Sequence, residues 1–137
     1  EAVRRKPLPE VKALDALCRT AVMTRAGAAL FTDEGRDQWW GTCQHCNRPD
    51  HWLSWCHVYT RATHSTRWDL DNVWAWCSGC HRMLDQHWNR KKHWVEERIG
   101  PRRWANLTLR AETPGRKVDR AAVKLWLERE IEKLEGR

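Results

Sequence analysis

What this chain lacks narrows its class before any motif is read. No apolar run approaches the roughly 20 residues a helix needs to cross a bilayer, and no signal-peptide pattern opens the sequence. No membrane partner is therefore expected, and a reducing cytoplasm is the expected compartment. There is no internal repeat and no low-complexity tract, which sets aside repeat arrays and disordered tails. Phe and Tyr are nearly missing, at one residue each, against 11 Trp. Trp combines a large apolar face with an N–H that tolerates a wet edge. Trp39, Trp40, Trp52, Trp55, Trp68, Trp74, Trp76 and Trp88 are read mainly as bulky filler for a small core. Acidic residues are outnumbered, 18 against 25 Lys and Arg, for a formal charge of +7. That surplus is spread along the chain and points toward a polyanion such as a nucleic acid, with a merely basic soluble protein as the alternative.

A reducing compartment argues against disulfides, so the six cysteines need another explanation. Cys43-x-x-Cys46 and Cys77-x-x-Cys80 provide it. Two such knuckles can hold one tetrahedral zinc, and four thiolates leave no open position, so the expected metal is structural. A chain of 137 residues, read as a single domain, is small enough to gain from such a staple. Cys18 lies on an apolar stripe and reads as a packed thiol, Cys56 is a spare thiol, and His45 reads as a surface residue.

The coarse organisation is α+β. Glu10 to Leu30 reads as a helix, with Val11, Leu14, Leu17, Cys18, Ala21 and Val22 at three- and four-residue steps behind Pro9, inside an N-terminal helical segment over 8–34. Gly35 and Gly41 bracket a turn-rich approach to the first knuckle. Trp52 to Tyr59 reads as a strand, Arg61 to Asn72 as a polar loop, Val73 to Trp76 as a second strand, and Ser78 to Ile99 as one helix stopped by Gly100-Pro101. Strand, loop, strand, helix is a ββα unit, and the zinc-bound core is placed at 36–100. Residues 101–137 form a C-terminal helical segment, with a turn at Thr113-Pro114-Gly115 and Asp119 as an N-cap. There Val123, Trp126, Leu127, Ile131 and Leu134 form an apolar stripe. That stripe is expected to pack on the first helix, with a homodimer contact as the alternative.

Three residues inside the unit carry the expected chemistry. His57, on the first strand, can accept a proton from water near neutral pH. His81 opens the helix, and Asp85 follows one turn later on the same face, so the pair can grip a divalent cation. Asn72 can hold the loop against the His57 segment by hydrogen bonds. Cys56, then Asp69 or Asp71, are further choices for the second metal ligand, and His64 is a substitute base. Arg61 and Arg67 flank the loop, and Arg82, Arg90, Lys91 and Lys92 project from the helix. All six are expected to meet phosphate.

The order His57, Asn72, His81 within strand–loop–strand–helix resembles the HNH nuclease motif of the ββα-metal superfamily. The wider string is similar to the lambdoid phage NinG/Rap recombination proteins. It includes Cys43-Gln44-His45-Cys46, Cys56-His57-Val58-Tyr59-Thr60-Arg61, Ser65 to Val73, and Trp76-Cys77-Ser78-Gly79-Cys80-His81. The resemblance implies a phage-type endonuclease working in the host cytoplasm on branched or recombination-intermediate DNA, as a Holliday junction resolvase does. It assigns His57 as general base, Asn72 as the central Asn, and His81 to a catalytic ion, Mg²⁺ or Mn²⁺. The chain departs from it in carrying Cys56 where many such enzymes have an acidic ligand, and His81 where NinG-type chains have Asn. Two rival readings are a zinc-stabilised DNA-binding module without catalysis and an adaptor that uses exposed Trp faces.

Overall fold

Helix α1 (Val11–Arg25) forms where the apolar periodicity places it, burying Leu14, Cys18, Ala21, Val22 and Met23. It stops five residues before the expected end. Gly27, at φ +72°, takes the left-handed turn that closes the helix, and its N–H bonds the Thr24 carbonyl. The chain then makes a hairpin that periodicity alone does not reveal, β1 (Ala29–Asp33) and β2 (Arg36–Gly41). Glu34 and Gly35 both have positive φ, at 50° and 76°, the signature of a two-residue type I′ turn. The segment 8–34 is thus part helix and part strand. The computed structural model describes residues 7–113, 115 and 117–137. Pro114, in the expected C-terminal turn, lies outside them.

Strands β3 (His51–His57) and β4 (Val73–Cys77) complete a four-stranded antiparallel sheet in the order β1-β2-β3-β4. β4 is buried along its whole length. β2 reaches β3 only through 51–53, whereas β3 and β4 pair from Leu53↔Cys77 to His57↔Val73. The far half of β3 therefore has one unpaired side, and the cleft described below opens there.

The expected single helix over 78–99 is two helices, α2 (Ser78–Asp85) and α3 (Trp88–Ile99). The break has no Gly or Pro. Its N–H groups are met by short bonds, Gln86 to the Met83 carbonyl and His87 to the Leu84 carbonyl. The turn redirects α3 so that Lys91, on its first turn, comes back to α2. Gly100, at φ +87°, separates α3 from α4 (Pro101–Glu112), and Pro101 sits at the first helical position, where its missing N–H costs nothing. In α5 (Arg120–Leu134), the Asp119 side chain caps the Ala122 N–H. Leu127 and Ile131 of the stripe are buried and α5 packs on α1, while Trp126 stays 43% exposed. Among the described residues the chain is α+β, with this one sheet and five α-helices.

The tryptophans divide. Trp68, Trp74, Trp76 and Trp104 are core, but Trp52 and Trp88 are 48% and 45% exposed, so those two are not core filler.

Candidate functional site

The cysteine cluster is built from two places. Cys43 and Cys46 lie on the turn before β3, and Cys77 and Cys80 span the junction of β4 and α2. Their sulfurs lie within 4.8 Å of one another. A tetrahedron of zinc–sulfur bonds of about 2.3 Å places its sulfurs about 3.8 Å apart, so the group fits a structural metal ion such as zinc. The turn is clipped to the open edge of β4. Gln44 N–H donates to the Ala75 carbonyl, and the Gln44 Oε1 accepts from Ala75 N–H at 2.9 Å. The Cys77 N–H points at Cys43 Sγ, 3.2 Å away. His45 is not a plain surface residue. Its Nδ1 is 3.2 Å from Cys80 Sγ, its ring meets Trp76 and Trp94, and burial lowers its pKa.

The second site is a cleft of about 550 Å³ along the unpaired part of β3. His57, Trp55 and Ser54 come from β3, Thr60 and Arg61 follow it, and Arg19 comes from α1. His81 and Asp85 come from α2 and Lys91 from α3. Residues far apart in sequence thus meet in one place because β4 hands the chain directly to α2.

His57 Nε2 lies 2.8 Å from the Arg67 carbonyl oxygen. A carbonyl only accepts, so Nε2 carries the proton and Nδ1 keeps a lone pair. Burial pushes the His57 pKa down to about 4. The Arg67 carbonyl opposes that shift, while the charges of Arg61 and Arg67 reinforce it. The ring is therefore neutral at neutral pH. Below pH 6.5 the unfolded chain binds a proton that the folded one refuses, so His57 makes stability fall as pH drops from 6.5 toward 4. Comparing urea unfolding of the protein and His57→Gln at pH 7 and pH 4.5, the variant should lose less on acidification. The expected difference is on the order of 1 kcal/mol, allowing for partial solvent exposure of the ring. Equal losses would remove His57 from the acid limb.

The loop between β3 and β4 is held from three sides. Asn72, with no exposure, spends its whole amide. Nδ2 donates to the Tyr59 and Thr66 carbonyls at 3.0 and 2.9 Å, and Oδ1 accepts from Tyr59 N–H at 2.8 Å. Asn72→Ala would leave the Tyr59 N–H and carbonyl unpaired, while the Thr66 carbonyl keeps the Asp69 N–H. It should cost about 2–3 kcal/mol in urea unfolding, and a change below about 0.5 kcal/mol would contradict this role. From α1, Asp15 accepts from the Arg67 guanidinium at 2.8 and 2.7 Å and from Trp68 Nε1 at 2.8 Å. Burial alone would raise the Asp15 pKa, but these donors hold it below the usual carboxylate range. Arg25 donates to the Leu70 and Val73 carbonyls while stacking on Trp74. From α4, Arg110 pairs with Asp69 and Arg103 with Asp71.

These contacts revise several expectations. Arg67 is committed to Asp15 rather than turned toward phosphate. Asp69, Asp71 and His64 line a different cavity, beside α4 and α5, and do not reach the cleft. Cys56 is buried, its thiol donates to the Ser54 carbonyl, and it does not line the cleft. Lys91 does not project. It is 7% exposed, and its ammonium lies 2.6 Å from Asp85 Oδ1 and 3.4 Å from the His57 carbonyl. Arg82, Arg90 and Lys92 are exposed and lie outside the cleft lining, which Arg61 joins.

His81 Nε2 is 3.0 Å from Asp85 Oδ2. Adjacent ligands on an octahedral ion with bonds of about 2.1 Å are separated by about 3.0 Å, so the pair fits one edge of such a site. Lys91 takes the other carboxylate oxygen, so Oδ2 faces only the His81 ring, and an ion bound there would replace that direct contact. Among the described residues, however, only the four cysteines gather three or more ligand atoms within 4.8 Å. Arg19, Ser54, Thr60 and Trp55, the last expected as core filler, also line the cleft. Arg19 had no distinguishing signal, since one arginine on a helix face looks like any other.

Compared with known protein families, with curated proteins and with solved structures, the chain matches none of them.

Proposed function

We propose that this chain is a metal-dependent DNA endonuclease of the HNH type, hydrolysing phosphodiester bonds at the β3 cleft. What carries the reading is that His57 and His81, from separate segments, line one cation-rich cleft. There His57 is neutral, and its tautomer is fixed by the Arg67 carbonyl. The residues that fit a divalent ion are His81 and Asp85. Mg²⁺ or Mn²⁺ bound there would supply charge to a phosphate oxygen. The other roles fall to the protein itself. Nδ1 of His57 takes the proton of the attacking water, Arg61 holds phosphate, and Lys91 keeps the Asp85 carboxylate turned. Asn72, Asp15 and Arg25 keep the Arg67 carbonyl where His57 needs it. The preference for branched or recombination-intermediate DNA, as in a Holliday junction resolvase, rests on the NinG/Rap resemblance. A junction cut would further call for a homodimer.

One observation favours the rival, a DNA-binding module without catalysis. Asp85 already has Lys91 as its cation. Supercoiled plasmid incubated with the protein separates the readings. Nicked and linear products should form with Mg²⁺ or Mn²⁺ and not without added ion. Intact plasmid under every metal condition, with binding present, would make the module the correct reading.

A further inference from the structure

Trp55 carries two guanidinium groups on one indole. The Arg19 Cζ lies 5.0 Å and the Arg61 Cζ 6.0 Å from the ring centroid, and His57 meets the same ring edge-on at 4.4 Å. Arg19 is delivered by α1 and Arg61 by the chain just after β3, so the fold assembles this group from two directions. Among the described residues neither arginine makes an ion pair or a side-chain hydrogen bond. Asp15, one turn before Arg19, is already occupied by Arg67 and Trp68. Two like charges drawn to one ring repel, and an aromatic face offsets only part of that. An anion placed between them offsets the rest.

We infer that Arg19 and Arg61, presented by Trp55, clamp one phosphate of the nucleic-acid strand next to the bond that His57 serves. A guanidinium lying against an indole keeps its N–H edge free, and that edge matches two phosphate oxygens. Trp55 is a positioning residue here. It fixes where both forks point without touching the anion. The identity of the anion as a nucleic-acid phosphate rests on the function proposed above.

The test is anisotropy of a labelled 20-base-pair duplex without added divalent ion, across a salt series. It compares the protein with Arg19→Gln, Arg61→Gln, the double variant, and Lys124→Gln as a surface control on α5. Each single arginine variant should weaken binding about 5- to 20-fold. The double should be no worse than about twofold beyond the stronger single, because both side chains grip one group. The slope of log K against log salt should fall by about 0.9, one phosphate contact, in the double variant. Binding within twofold of the Lys124→Gln control would overturn the clamp. Additive losses with a slope change near 1.8 would overturn it as well, since that means two separate phosphates. A plasmid that is never nicked, alongside weakened arginine variants, leaves the clamp standing and removes the nuclease reading. A nicked plasmid with arginine variants that bind normally does the reverse.

Discussion

His57→Ala should slow DNA cleavage at least a hundredfold while leaving DNA affinity within about threefold. The rate loss follows from removing a positioned base, a contribution of about 10²–10⁴ in general acid–base catalysis. The retained affinity follows from the charge state. Burial holds the ring neutral at neutral pH, so its loss removes no cation from the cleft. Arg19 and Arg61 remain in the cleft lining, and the loop stays closed because Asn72, Asp15 and Arg25 act without His57. Single-turnover cleavage of an end-labelled substrate, run beside anisotropy, measures both quantities. Equal cleavage by the variant would strip His57 of its role. Loss of binding in proportion to cleavage would show that it anchors DNA instead.

Cys43→Ser or Cys80→Ser should release the bound ion and much of the fold with it. Metal binding by a structural zinc site carries about 10–16 kcal/mol in small zinc peptides, comparable to the whole stability of a domain this size. The position of the cluster makes the consequence global. It joins the turn at 43–46 to the point where β4 becomes α2, and His81 is the residue after Cys80. Losing one thiolate therefore loosens both the Gln44–Ala75 clip and the start of α2, which carries His81 into the cleft. Elemental analysis should find one tightly held ion in the protein and none in either variant, with the far-ultraviolet signal and the melting transition reduced together. A wild-type chain that is folded without metal would contradict this, as would a variant that melts normally.

How much of this was legible in the sequence depends on how local each feature is. The cysteine pairs, the strand–loop–strand–helix order and the His81–Asp85 spacing are short-range patterns, and the fold carries each of them. Asn72 was expected to tie the loop to the His57 segment, and its amide does reach Tyr59, two residues beyond His57. The β1–β2 hairpin was missed because Ala26 to Leu30 continues a helical apolar spacing, and only Gly27 and the Glu34-Gly35 turn break it. The break between α2 and α3 leaves no Gly or Pro to read.

The arginines were the hardest. Arg67 meets Asp15 across 52 residues, and Arg110 meets Asp69 across 41. Charges in a polar loop look solvated until the helices that neutralise them are in place. Arg19 was invisible for the converse reason, as nothing near it in sequence says that Trp55 will come to its side.

The shared cleft is tested most directly by titrating Mn²⁺ into the zinc-loaded protein and following the imidazole signals by NMR. A paramagnetic ion between His81 and Asp85 should broaden the His81 and His57 rings at the lowest additions. His51, six residues from His57 at the other end of β3 and outside the cleft lining, should broaden less than either. Broadening of His81 with a sharp His57, or no selective broadening at all, would contradict a common site for the two imidazoles.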